Sequence, residues 1–243
     1  MSKNVAVVAF GGNALLGAKD KGTQTEQMLN AERAAKLLVE IVKRGYELVV
    51  VHGNGPQVGN ILIQIEEAVT KIPPFSLDVC VAMSQGSMGY MIEAALRNQL
   101  LKKNIQKPIV TVLTEVVVSK NDPAFKKPSK PIGPFYTGYR ADQLMKKKNW
   151  KMVEDSGRGY RRVVASPRPV RILSDHIIDS LLAAGNIVVA AGGGGIPVFW
   201  KDGDRLEGVA AVIDKDYSAA ILAKAVRADL FVILTPVPCV YLN

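Results

Sequence analysis

The chain has 243 residues, 48% hydrophobic and 22% charged, an ordinary globular composition with room for one large α/β domain or two small ones. No run approaches the roughly 18 apolar residues of a membrane span, and Met1-Ser-Lys-Asn-Val5 leads straight into a strand-like run, so a cytoplasmic protein without a secretory signal is expected. Two cysteines, Cys80 and Cys239, exclude a disulfide framework or a cysteine metal site and read as buried, inert thiols.

Val5–Phe10 is a continuous apolar run, as in a strand buried on both faces. Thr23 and Glu26 have capping-box spacing. They open a helix to about Arg44, with Met28, Ala31, Ala35, Leu38 and Val42 on one face and Gly45 as its stop. The strand Glu47–Val51 completes a β-α-β unit, so the two strands should be parallel. Gly55-Pro56 starts another helix. A further helix is expected over Gly86–Leu101 and a strand over Pro108–Leu113. From about Glu115 to Pro169 the alternation breaks at Pro123, Pro128, Pro131, Pro134 and Pro167, and Gly133, Gly138, Gly157 and Gly159 add turns. A structureless loop of that length is unusual inside a compact domain, so a protruding lid with its own hairpins is expected. Helix Ser174–Ala184, strand Asn186–Ala191, helix Asp216–Val226 and strand Leu230–Leu234 resume the alternation. The last strand-like run is followed by no helical pattern, and an uncovered apolar edge is expected there.

The net charge of +9 is uneven. Lys126–Arg171 carries 13 of the 31 Lys/Arg and 3 of the 22 Asp/Glu, a local net of +10 against −1 for the rest. Such a segment can face nucleic acid or clamp a small phosphate ligand. Its aromatics Phe135, Tyr136, Tyr139, Trp150 and Tyr160 sit among Pro and Gly, outside any RNA-binding pattern, and no nucleic-acid partner is expected. Lys146–Lys148 reads as a solvated face.

Three strand-like runs end in glycine-rich turns: Gly11-Gly12-Asn13, His52-Gly53-Asn54-Gly55 and Gly192–Gly195. Loops at the carboxyl ends of parallel strands line the ligand crevice, and glycine lets backbone N–H groups approach an anion. The alternative is the ordinary taste of βα turns for glycine. Neither G-x-G-x-x-G nor G-x-x-x-x-G-K-[ST] occurs, so the classical dinucleotide and P-loop readings are demoted. Asp214-Lys215-Asp216 opens a helical pattern: the lysine can meet transferring phosphoryl oxygens, and a carboxylate can orient lysines or hold Mg²⁺. A helix cap with solvated charges is the alternative. Lys130, fixed between Ser129 and Pro131, is either a restrained cation or an exposed turn residue.

Together, Phe10-Gly-Gly-Asn-Ala-Leu15, His52-Gly-Asn-Gly-Pro-Gln-Val-Gly59, Met83-Ser-Gln-Gly86 with Gly89-Tyr90, Lys130-Pro-Ile-Gly-Pro-Phe-Tyr136, Ser166-Pro-Arg-Pro169, Gly192-Gly-Gly-Gly-Ile-Pro197 and Val212-Ile-Asp-Lys-Asp216 resemble the carbamate kinase family of the amino acid kinase superfamily, in the same order, over about Lys3–Thr235. The resemblance implies an αβα sandwich with a mainly parallel sheet: a carbamate-binding part (1–114), a lid (115–169) and an incomplete nucleotide-binding part (170–243). It implies reversible phosphoryl transfer between carbamoyl phosphate and ADP, giving ATP and carbamate, with Mg²⁺ accompanying the nucleotide, no residue assigned as a metal ligand, and a homodimer, often in arginine breakdown. Gly11, Gly12, Asn13, Gly53, Asn54 and Gly55 would contact carbamate or the transferred phosphoryl group. Lys130 and Lys215 would stabilise phosphate. Asp216, with Asp214 in a similar role, would organise the lysines, and Gly193 and Gly194 would meet the nucleotide. Two departures stand out. Pro236 and Pro238 replace polar residues usual in the family, and no Gly-Ser-Met-Gly-Pro-Lys string follows. A C-terminally truncated kinase with little activity alone is therefore expected. The alternatives are a non-catalytic anion-binding remnant and another small-acid kinase of the superfamily.

Overall fold

The fold is taken from a computed structural model that describes residues 4–11, 22–155 and 157–234. Its centre is a five-stranded, all-parallel sheet in the order β12 (Leu230–Leu234), β1 (Val5–Phe10), β2 (Glu47–His52), β9 (Ile187–Val189), β3 (Ile109–Thr111). Ala6, Val8 and Phe10 of β1 pack on one face against α1 (Gln24–Lys43) and α3 (Leu77–Lys102). Val7 and Ala9 pack on the other against α5 (Asp175–Ala183) and α6 (Lys215–Ala225). Alternate residues thus serve opposite cores, which is why the run is apolar throughout. The expected αβα layering and parallel sheet are present. In β12, Leu230, Val232 and Leu234 join the first core, while Phe231 and Ile233 on the opposite face stay exposed.

The capping box forms as expected: Thr23 Oγ accepts from Glu26 N–H, and the Glu26 carboxylate accepts from Thr23 N–H at 2.9 Å. Two helices depart from expectation. α3 starts nine residues before Gly86, because Ser84 and Gln85 are polar yet buried and blur the apolar periodicity. Residues Gly138–Lys148 form a helix, α4, capped by the Thr137 hydroxyl on Arg140 N–H at 3.3 Å. Lys146–Lys148 occupies its exposed last turn, the favourable end of the helix dipole for cations.

The interval 115–169 divides between two smaller sheets. β4 (Glu115–Val118) runs parallel to β10 (Ile196–Lys201) and antiparallel to β8 (Pro169–Ile172), while β11 (Arg205–Gly208) pairs antiparallel with β10. β5 (Lys130–Tyr136), β7 (Tyr160–Val164) and β6 (Met152–Glu154) make a separate antiparallel sheet. It packs on α2 (Gly55–Ala68), with Ile132, Val164, Val58 and Leu62 in one buried cluster. Gly59 of α2 and Gly133 of β5 meet backbone to backbone; a Cβ on Gly59 would overlap Gly133. Cys80 is fully buried in the same cluster, and burial pushes its thiol pKa up, as for an inert thiol. Cys239 lies outside the described residues.

Candidate active site

The site gathers at the carboxyl ends of β1, β2 and β9. Gly53 N–H donates to Phe10 O at 2.8 Å, tying the β2 turn to the strand end that Gly11 follows. Gly12 and Asn13 lie outside the described residues. His52 is buried, and its Nδ1 lies 3.2 Å from Gly53 O. Burial drives the His52 pKa down to about 4, against a smaller opposing effect of the Gly53 carbonyl, so the imidazole is neutral at physiological pH. Asn54 opens α2 without capping it; its Nδ2 donates instead to Ser84 Oγ of α3 at 2.8 Å, and that hydroxyl donates to Val81 O at 2.6 Å. The first α2 N–H groups follow at Gly55, where a helix start favours an anion.

The β9 turn nests against this one. Gly193, Gly194 and Gly195 have φ of 67°, 88° and 94°, the left-handed region that glycine tolerates. The space of a missing side chain is already filled: His52 lies against Gly192, the Asn54 amide against Gly193, and Ile213 against Gly194. The glycines therefore let protein segments interlock. The missing Cβ atoms of this turn thus make room for neighbouring side chains and backbone.

Ile213 leads to Asp214, the N-cap of α6, whose Oδ1 accepts from Asp216 N–H at 3.0 Å. Its Oδ2 accepts from Lys130 Nζ at 2.6 Å, across 84 residues of sequence. Lys215 Nζ pairs with Asp216 Oδ1 at 2.8 Å. Asp214 thus both caps a helix and pairs with a distant lysine. Burial raises the Asp214 pKa, but the Lys130 ammonium, Asp216 N–H and Lys215 outweigh it and leave the carboxyl below its usual value. Lys130 sits beside the α2 start, since Pro131 O lies 3.9 Å from where a Cβ of Gly55 would stand. The structure thus brings Gly53, Asn54, Gly55, Lys130, Gly193, Gly194, Asp214, Lys215 and Asp216 into one constellation beside the strand end at Gly11. Sequence reasoning assigned no role to Ser84, Gln85, Thr114 or Ser218, whose buried side chains fasten the turns. Their signal was polar residues at positions the surrounding pattern makes apolar.

Helix-start amides and two lysines paired to carboxylates are the kinds of group that can stabilise a transferring phosphoryl group. The amino acid kinase family profile matches residues 4–243. The chain belongs to the amino acid kinase family. Within it, similar proteins include several carbamate kinases. That of Pyrococcus furiosus is 49% identical over 239 residues, 98% of this chain and 76% of the relative. Carbamate kinase 2 of Enterococcus faecalis is 48% identical over 244 residues, 100% of this chain and 77% of the relative. The carbamate kinase from Giardia lamblia bound to citric acid superposes with a TM-score of 0.92 at 42% identity, over 96% of this chain and 75% of that one. The same enzyme bound to AMP-PNP gives 0.86 at 42% identity, over 97% and 75%. The chain spans about three quarters of the length of these relatives.

Proposed function

We propose that the protein is a carbamate kinase that transfers a phosphoryl group reversibly between carbamoyl phosphate and ADP. An oxygen of the ADP terminal phosphate attacks phosphorus, the bond from phosphorus to the carbamate oxygen breaks, and carbamate leaves with its electron pair. No covalent enzyme intermediate is needed; positioning and charge stabilisation carry such a step. Gly11, Gly12, Asn13, Gly53, Asn54 and Gly55 hold carbamate and the phosphoryl group. Lys130 and Lys215 neutralise charge on it, Asp214 and Asp216 aim the lysines, and Gly193 and Gly194 face the nucleotide phosphates. Residues 1–114 form the carbamate side, 115–169 the lid and 170–243 the nucleotide side. Mg²⁺ would accompany the nucleotide, as the family implies. Asp214 and Asp216 are both paired to lysines. A cytoplasmic homodimer acting in arginine breakdown fits the family. No described helix is long and apolar enough to cross a membrane.

The observation that carries this reading is the convergence of Lys130 and Lys215 on Asp214 and Asp216 beside the α2 start. Of the three readings the sequence allowed, the relatives favour this one. The test is ATP formation from ADP and carbamoyl phosphate in a coupled assay, with acetyl phosphate in parallel. No ATP from carbamoyl phosphate, with phosphorylation of another small acid by ATP, would overturn it.

A further inference from the structure

We infer that Gln85 is a positioning residue for phosphoryl transfer: with Thr114 it fixes the plane of the Gly192–Gly193 peptide and so aims the Gly193 N–H. The inference rests on the reading of Gly193 as a nucleotide contact. Gln85 sits within α3 with 1% of its surface exposed, and both ends of its amide are used. Oε1 accepts from Thr114 N–H at 2.9 Å, and Nε2 donates to Gly192 O at 2.9 Å and to Thr114 O at 3.3 Å. Thr114 grips the turn at both ends. Its Oγ accepts from Ala191 N–H at 2.9 Å while donating to Val112 O at 2.7 Å, and its carbonyl accepts from Ile196 N–H at 2.8 Å.

The turn needs such a grip. Ala191 is held at φ 50°, a region unfavourable to a residue with a Cβ, and three glycines at positive φ follow close behind. Glycine peptides reorient readily unless fixed. In a planar trans peptide the C=O and the next N–H point opposite ways. Holding Gly192 O toward Gln85 therefore sends the Gly193 N–H away from α3. Gly194 and Gly195 N–H are already spent on Ala191 O and Gly192 O, and Ser218 Oγ holds Gly194 O at 2.6 Å. The Gly193 amide is the donor whose direction this pinning sets.

The test uses Gln85→Met, Gln85→Glu and Thr114→Val in the full chain. Gln85→Met keeps the volume and removes the amide. It should lower kcat/KM for ADP about tenfold to a hundredfold, since a lost buried hydrogen bond leaves Thr114 N–H unmatched. Gln85→Glu places a carboxyl opposite two carbonyl oxygens in a dry site, where its pKa rises. The protonated acid can donate to Gly192 O; the carboxylate repels it. The Gln85→Glu to wild-type activity ratio should therefore climb as pH falls from 8 to 5.5, while the Gln85→Met ratio stays flat. His52, which lies against Gly192, is neutral across that range and adds no slope. A role in packing alone gives no pH-dependent rescue. Thr114→Val, which removes only the hydroxyl, should lower activity without a pH trend, and it serves if Gln85→Met does not fold. In ¹⁵N-glycine-labelled protein the Gly193 amide should shift on adding ADP or inorganic phosphate, and lose that response in folded Gln85→Met. A flat Gln85→Glu ratio, wild-type kinetics in folded Gln85→Met, or a Gly193 amide deaf to both ligands would overturn the inference. A responsive Gly193 amide in a wild type that makes no ATP from carbamoyl phosphate but phosphorylates another small acid would defeat the carbamate kinase reading and leave the positioning role standing.

Discussion

Acid should destabilise this protein through one buried imidazole, and the size of the effect can be worked out. His52 has a pKa of about 4 in the fold against 6.5 when unfolded, because burial excludes the charged ring. Between those values the unfolded chain binds a proton that the folded chain refuses, so stability falls as pH falls. Relative to pH 7, linkage gives a loss of about 2 kcal/mol by pH 5 and about 3 kcal/mol by pH 4. That is a large part of the roughly 5–15 kcal/mol typical of a domain. His52→Asn keeps a side-chain donor near the Nδ1 position and cannot titrate. Its smaller volume costs stability by an amount independent of pH, so the slope isolates the histidine. Carboxylates such as Asp214, also held below their usual range, lose their contribution as pH falls in both proteins and cancel. Urea unfolding at intervals from pH 7 to 4 measures the difference. The wild type should converge on the variant, or cross it, by about 3 kcal/mol over that range. Parallel curves would show that His52 is protonated in the fold, and that its contact with Gly192 is not a dry one.

Lys215→Ala should lower turnover about 10²–10³-fold, as expected for a lost transition-state charge contact, and near-normal kcat would reduce Asp214-Lys215-Asp216 to a helix cap. Lys130→Ala should harm kcat more than ADP affinity if the small β5-β7-β6 sheet that carries Lys130 is the proposed lid; calorimetry showing ADP binding collapse with saturated turnover intact would refute that role. Gly59→Ala puts a methyl into the Gly133 backbone and should cost about 1–3 kcal/mol in urea unfolding, with a drop in turnover as β5 and Lys130 shift. Gly86→Ala on α3, with open space around its Cβ, should instead gain up to about 1 kcal/mol, and equal effects at the two glycines would refute the close approach.

Strands β1 and β2 of the central sheet were legible because burial on both faces leaves almost no polar position, as Ala6–Phe10 and Leu48–Val51 show. The α1 start was legible because its cap is local in sequence. The front of α3 was not, since Ser84 and Gln85 are buried for partners 30 and 29 residues away, Asn54 and Thr114. α4 was missed because a lysine-rich segment with only Ala141 and Leu144 buried has almost no apolar stripe to read. At the site, residue types were readable and pairings were not. Nothing in the sequence divides the work so that Asp214 takes Lys130 and Asp216 takes Lys215. The glycines of the β9 turn were noticed for a reason that holds only in part, since the sequence does not reveal which neighbour fills each missing Cβ.

The basic segment shows why charge counts alone mislead about partners. Most of its strongest cations are already engaged. The Arg162 guanidinium lies 4.3 Å over the Trp150 ring, and Glu66 of α2 takes both Arg162, at 4.0 Å, and Lys148, at 2.7 Å. Arg158 and Arg161 stack on Phe135 at 4.8 and 5.3 Å, share Asp155, and Arg161 Nε donates to Gly133 O at 3.1 Å. Ion pairs at or near the surface, as these are, add little stability one at a time. Their arrangement matters more, because the Glu66–Arg162 pair and the contact of Gly59 with Gly133 fasten the same small sheet to α2 at separate points. Lys130 begins the strand so fastened. A lysine on a free loop would spend rotamer entropy each time it met a phosphoryl group. On the proposed reading, a lysine whose backbone is clamped and whose ammonium is held by Asp214 would meet it already oriented, the condition under which a fixed charge stabilises a transition state most. On that reading the basic segment would serve as a mount for one cation, besides the field it presents to anions.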